Sequence, residues 1–198
     1  MSKMTFLEQA RLFGYPATKK HVVTEDGYIL ELHRIPGKRN ETLEQALSTS
    51  KQPILFVHGL LGSSQQWIAN GPGKAWGFAA VDTGLYDAWF INLRGNKYSR
   101  EHRSMEADSD VAFWDFSFEE FGSYDLPAAV RAIQAESGEK KVALVAYSEG
   151  TTAAFYALSQ KGGKESEFCN NNVSIFVALG PMTQLNNVDD PILRLLGW

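Results

Sequence analysis

Cysteine is almost missing from this chain. Cys169 is the single one in 198 residues, so no intrachain disulfide can form. Nothing in Glu167-Phe168-Cys169-Asn170 would activate a thiol, which argues against a catalytic cysteine. Histidine is scarce too: His21, His33, His58 and His102 are the four, and none follows residue 102. Long apolar runs are absent, so no transmembrane helix is expected. Met1-Ser2-Lys3-Met4-Thr5-Phe6-Leu7-Glu8 lacks the apolar centre of a signal peptide, and an intracellular chain is the expectation. On that expectation the sequons Asn40-Glu41-Thr42 and Asn172-Val173-Ser174 are chance matches. Positive charge is not in excess: the net charge is −4 and no Lys/Arg stripe occurs, which excludes a nucleic-acid surface. No metal-ligand cluster and no glycine-rich phosphate cradle is visible, so no metal and no cofactor is expected.

What is plentiful is aromatic: twelve Phe and five Trp, enough for a large aromatic core, with an apolar substrate surface as the alternative use. The length suits one good-sized domain. Residues 5–13 have a short amphipathic helical pattern. Residues 21–25 and 28–34 flank Asp26-Gly27 and predict an antiparallel hairpin at a sheet edge. Residues 37–52 are polar, an exposed loop with one helical turn. Pro53-Ile54-Leu55-Phe56-Val57 is continuously apolar, as in a strand buried on both faces. A helix pattern follows over 73–84, then a buried strand over 87–92. Residues 97–116 are irregular and polar. Ser117 opens a long helix with a Ser-x-x-Glu capping box, kinked or restarted at Pro127 and stopped near Gly138. Residues 141–146 predict a strand, 151–161 a helix and 173–179 another buried strand. Residues 188–198 are short and partly apolar. From residue 53 onward strands alternate with helices, which predicts an α/β fold with a mostly parallel sheet.

The chain is organised around residues 142–152, Val-Ala-Leu-Val-Ala-Tyr-Ser-Glu-Gly-Thr-Thr. An apolar strand stops at Ala146, small residues follow as Ala146-x-Ser148-x-Gly150, and a helical run begins. Strand, sharp turn and helix in that order describe a nucleophile elbow, in which a strained serine presents its hydroxyl beyond the sheet. Alanine stands where glycine is usual. Ester hydrolysis there needs an oxyanion hole of two backbone N–H groups. The candidates are Glu149, which follows the serine, and Leu60 in His58-Gly59-Leu60 at the end of an earlier strand. Each such donor is worth roughly 2.7–4 kcal/mol in the transition state. It also needs a histidine oriented by an acid, in the order serine, acid, histidine. Asp189 and Asp190 follow Ser148, but no histidine does. His58 reads as a structural residue at a strand end, His102 as a solvated loop residue, and His21 and His33 as hairpin residues away from the elbow. Ser148 is the candidate nucleophile, with a structural serine in a tight turn as the alternative.

Several segments together resemble the acid lipases, the gastric and lysosomal lipase group. They are Gly14-Tyr15-Pro16, residues 22–30, His58-Gly59-Leu60-Leu61 with Trp67, Arg94-Gly95-Asn96, residues 113–120, residues 124–128 and the elbow itself. The resemblance spans residues 14 to about 180. It implies an α/β-hydrolase fold acting on triacylglycerols or steryl esters, with Ser148 as nucleophile and the Leu60 and Glu149 N–H groups as oxyanion donors. Two positions depart from the family's Gly-His-Ser-Gln-Gly elbow: Tyr147 replaces histidine and Glu149 replaces glutamine. A carboxylate beside an oxyanion site opposes the developing charge if it points inward.

The family's chains are about twice as long. The expectation is that residues 1–198 form a partial domain without the lid, the last strands and the catalytic Asp and His. The strand over 173–179 would then be an apolar edge, a surface that calls for a partner chain. Two function classes follow: a lipase module completed by a partner chain, or an inactive lipase-fold scaffold within a larger assembly.

Overall fold

The computed structural model describes residues 4–159 and 163–183. Helix α1 (Phe6–Leu12) opens on a capping box, with Thr5 and Glu8 satisfying each other's backbone N–H groups. Strands β1 (Thr18–Val23) and β2 (Tyr28–Ile35) form the hairpin around Gly27, whose φ of +104° suits glycine. Helix α2 (Leu43–Leu47) is the single turn in the polar loop. Then follow β3 (Gln52–Val57), α3 (Trp76–Asp82) and β4 (Tyr86–Ile91). The stretch read as irregular contains a two-residue strand, β5 (Glu101–His102), and a 3-10 turn over Val111–Trp114. His102 is therefore not a merely solvated residue. Its Nε2–H donates to the Asp26 carbonyl at 2.9 Å, and Gly27 leaves room for its ring.

The long helix expected from Ser117 is in three parts. The Ser117–Glu120 capping box starts α4 (Phe118–Glu120), a π turn runs over Phe121–Asp125, and α5 (Leu126–Ser137) ends on Gly138 at φ +74°. Pro127 has no N–H to give the usual ladder, and the Leu126 N–H reaches back to the Phe121 carbonyl instead. The chain then forms β6 (Val142–Tyr147), α6 (Glu149–Ser159), α7 (Lys164–Asn172) and β7 (Val173–Leu179). Helix α6 begins two residues earlier than its apolar pattern indicates, because Glu149 and Gly150 already belong to its first turn. Residues 184–198, with Asp189 and Asp190, lie outside the described residues, as does the end of the helix expected to reach 161.

The sheet runs β1-β2-β4-β3-β6-β7, with β5 beside β2. The hairpin lies at one edge and pairs antiparallel, whereas β4, β3, β6 and β7 are mutually parallel. This is an α/β-hydrolase-type mixed sheet, as the sequence led one to expect. The central strands bury both faces. Leu55, Val57, Leu144 and Ala146 pack under α5 and α6, while Ile54, Phe56, Ala143 and Val145 pack against α1 and α3. That two-sided burial is why these strands read as unbroken apolar runs. At the far edge β7 is half covered: Phe176 meets Phe155, but Ile175 is 58% exposed. Among the described residues no strand pairs with its outer side, and no helix is long and apolar enough to cross a membrane.

Candidate active site at the turn after β6

Strands β3 and β6 are parallel neighbours in register, with Val57 opposite Ala146. The segments that leave their carboxyl ends therefore meet: His58-Gly59-Leu60 from one and Tyr147-Ser148-Glu149 from the other. Ser148 sits at the junction with φ +52°, a left-handed conformation that a side chain makes unfavourable by roughly 1–2 kcal/mol. Surrounding bonds hold it there. Its N–H donates to the Leu179 carbonyl at 3.0 Å, and its carbonyl accepts the Thr151 N–H at 2.8 Å and the Thr151 hydroxyl at 2.6 Å. Close contacts explain the small residues. A Cβ on Gly150 would lie 2.5 Å from the His58 carbonyl oxygen, and one on Gly59 would lie 2.9 Å from the Ser148 Cβ. Ala146 is fully buried between the layers, and its one methyl is accommodated.

The turn after β3 is braced from beneath. The Gly62 N–H closes it onto the Gly59 carbonyl at 2.9 Å, and Leu61 stands outward at φ +56° and 92% exposure. His58 is buried. Its Nε2 accepts the Leu93 N–H at 3.1 Å and the Asn96 amide at 3.0 Å, which places the proton on Nδ1, donated to the Gly59 carbonyl. Burial pushes His58 down to about 4, so it is neutral at ordinary pH. The same Asn96 amide bonds Asn92, whose carbonyl oxygen accepts the Ser64 N–H at 3.0 Å. The Ser64 hydroxyl meets His33 Nδ1 at 2.7 Å, and His33 Nε2 meets Glu31 at 2.7 Å. The two rings are thus joined through Asn96, Asn92 and Ser64 under the loop. Sequence reasoning missed this chain of bonds. Its one signal was polar residues, His33 and Asn92, placed in or next to apolar strands.

Beside the loop lies a groove of about 850 Å³. Its walls are residues 58–63, residues 93–97, the aromatics Trp114, Phe116, Phe118 and Phe121, and Glu149. Arg94 is held at its edge by Asp26 at 2.6 Å and by the fully buried Asp125 at 2.7 Å. Glu149 is 7% exposed, and burial pushes its carboxyl up to about 7. Leu60 makes no backbone hydrogen bond through its N–H among the described residues, and the Glu149 N–H is one of the unpaired donors of a first helical turn.

The predicted site residues Ser148, Glu149 and the Leu60 turn are therefore brought together. A base is not. His58 and His33 are committed as described, His21 faces Glu31 at 3.1 Å, and His102 faces the hairpin. The Ser148 hydroxyl instead meets the Met182 sulfur at 3.5 Å. Met182 is fastened over the turn by its N–H to the Thr151 hydroxyl and its carbonyl to the Thr152 hydroxyl.

Comparison with known proteins agrees with this architecture. A family model described as a partial alpha/beta-hydrolase lipase region matches residues 6–71, and one described as the alpha/beta hydrolase fold matches residues 52–198. Gastric triacylglycerol lipase of Rattus norvegicus is 37% identical over 196 residues, 98% of this chain and 47% of that lipase. Lysosomal acid lipase/cholesteryl ester hydrolase of Homo sapiens is 36% identical over 196 residues, 98% of this chain and 46% of that enzyme. The chain spans about half the length of the curated relatives it matches. Among solved structures, an esterase of Pyrococcus furiosus superposes with a TM-score of 0.51 at 14% identity, over 78% of this chain and 50% of that one. That likeness is one of fold alone.

Proposed function

Because this chain belongs to the α/β-hydrolase family and resembles its acid lipases, we propose that it carries the nucleophile and oxyanion hole of a lipid-ester hydrolase. The observation that carries the proposal is Ser148 in a left-handed conformation at the strand–helix junction, with the backbone of the Gly59-Leu60 turn packed against it. In the reaction the Ser148 Oγ attacks the ester carbonyl carbon while its proton passes to a base. The carbonyl oxygen becomes an oxyanion and accepts the N–H groups of Leu60 and Glu149. The C–O bond to the alcohol breaks, the alkoxide takes up the proton, and water then hydrolyses the acyl-serine. Triacylglycerols or steryl esters are the substrates proposed. The base is an imidazole supplied by a partner chain, which displaces Met182 from the hydroxyl.

A second reading is an inactive lipase-fold scaffold. It is favoured by the Met182 sulfur occupying the hydroxyl, and by Tyr147 and Glu149 at positions where the family's elbow has His and Gln. Labelling of the native assembly with an alkyl fluorophosphonate separates the two. The hydrolase reading expects a covalent adduct on Ser148 that is lost in Ser148→Ala; folded protein that never labels supports the scaffold.

A further inference from the structure

One carboxyl on the groove wall has no partner among the described residues. Glu149 lines the groove beside Gly59 and Leu60, is more than nine-tenths buried, and finds no charged or hydrogen-bonding partner among those residues. The cations on the same walls are engaged elsewhere. Arg94 is held by Asp26 and Asp125, and Lys97 donates to Gln65. The other titratable groups packed around α6 are engaged too. His58 is neutral and fully bonded, Glu120 caps the Ser117 N–H, Glu119 accepts the Tyr156 hydroxyl, and Tyr124 lies against the Arg94 guanidinium. Helix α7, with Arg131 paired to its Glu165, packs on the far end of α6, where Asn170 bonds the Leu158 carbonyl. A buried carboxyl in this position favours its neutral form.

We propose that Glu149 is a protonation gate on the ester-binding groove: as the neutral acid it donates its O–H to an uncharged ester, and as the carboxylate it repels the oxyanion forming beside it. The ligand class follows. The groove takes neutral esters and rejects ionised fatty acids, increasingly so as Glu149 loses its proton. This rests on Ser148 being the nucleophile, and the experiment keeps the two apart.

The second-order rate of Ser148 phosphonylation by an uncharged alkyl fluorophosphonate is measured in the native assembly from pH 6 to 8, for wild type and Glu149→Gln. Taking the ratio of the two at each pH cancels the titration of the base. The gate predicts that this ratio falls about tenfold across the interval, following the neutral fraction of a group titrating near 7; a ratio independent of pH overturns it. If neither protein labels at any pH, the reading of Ser148 fails, and binding of methyl decanoate decides the gate. Calorimetry of the wild type at pH 7.5, in two buffers of different ionisation enthalpy, then shows uptake of a fraction of a proton as the ester binds. Binding without proton uptake, or no binding, overturns the proposal, and neither outcome depends on how the variant folds.

Discussion

Two buried carboxyls have opposite surroundings: Glu149 lines the groove, whereas Asp125 lies behind Arg94, outside its lining. Asp125 is wholly inaccessible, yet it accepts the Arg94 backbone N–H at 3.0 Å and the guanidinium Nε at 2.9 Å. Glu149 is nearly as inaccessible and has none of this. Burial pushes Asp125 up to about 6 against the pull of Arg94, whereas for Glu149 burial acts unopposed. The difference teaches that burial alone does not define the role of an acid. Asp125, Arg94 and Asp26 tie β4 and the π turn to the hairpin, so they are a fixture of the fold. Among the described residues the Glu149 side chain bonds to no other group, which leaves it available to whatever enters the groove.

The sharpest way to break this contrast is to make Asp125 resemble Glu149. Arg94→Ala leaves a fully buried carboxylate without its cation, and urea unfolding should show a loss of about 3–5 kcal/mol. The opposite experiment removes the charge at the other site. The folded-state value of Glu149, about 7, lies above its unfolded value of 4.5, so the folded chain binds more protons between the two. Stability from this group is therefore fully present below pH 4.5 and is lost as pH rises through about 7. The loss is on the order of 3 kcal/mol, taking 1.36 kcal/mol per pKa unit. Glu149→Gln should remove that slope, so that its stability relative to wild type rises from pH 5 to 8 in denaturant titrations. Smaller effects sharpen the picture of the elbow between the two acids. Ser148→Gly relieves the left-handed strain and should raise stability by about 0.5–1 kcal/mol while abolishing labelling. Ser117→Ala removes the cap that starts the aromatic wall, and thermal unfolding should report a loss of about 1 kcal/mol.

The elbow was legible because its physics is local. Small residues at 146 and 150, an apolar strand before and a helix after are all adjacent in the chain. The role of His58 was legible for the same reason, since it closes a buried strand. Helix α7 was not legible. Lys164–Asn172 has little apolar periodicity, and it is held by long-range partners: Cys169 in the core, Glu165 to Arg131, and Asn172 to Gln134. The groove was hidden because four segments far apart in sequence build it. The bonds from His33 to His58 were hidden because all but the local Asn96–Asn92 link cross between segments far apart in the chain. Glu149 was noted as a departure from the family's elbow, but its burial against the groove appears only once the layers are assembled.

The π turn at Phe121–Asp125 has a consequence for the groove some distance from its cause. A wide turn holds one residue more than an α-helical turn, and one residue amounts to about 100° of rotation about the axis. If the segment were rewound as regular helix, Phe118 and Phe121 would swing by that angle relative to α5, and the aromatic wall would face a different direction. An amide hydrogen that Pro127 does not possess thus helps decide which way those rings look.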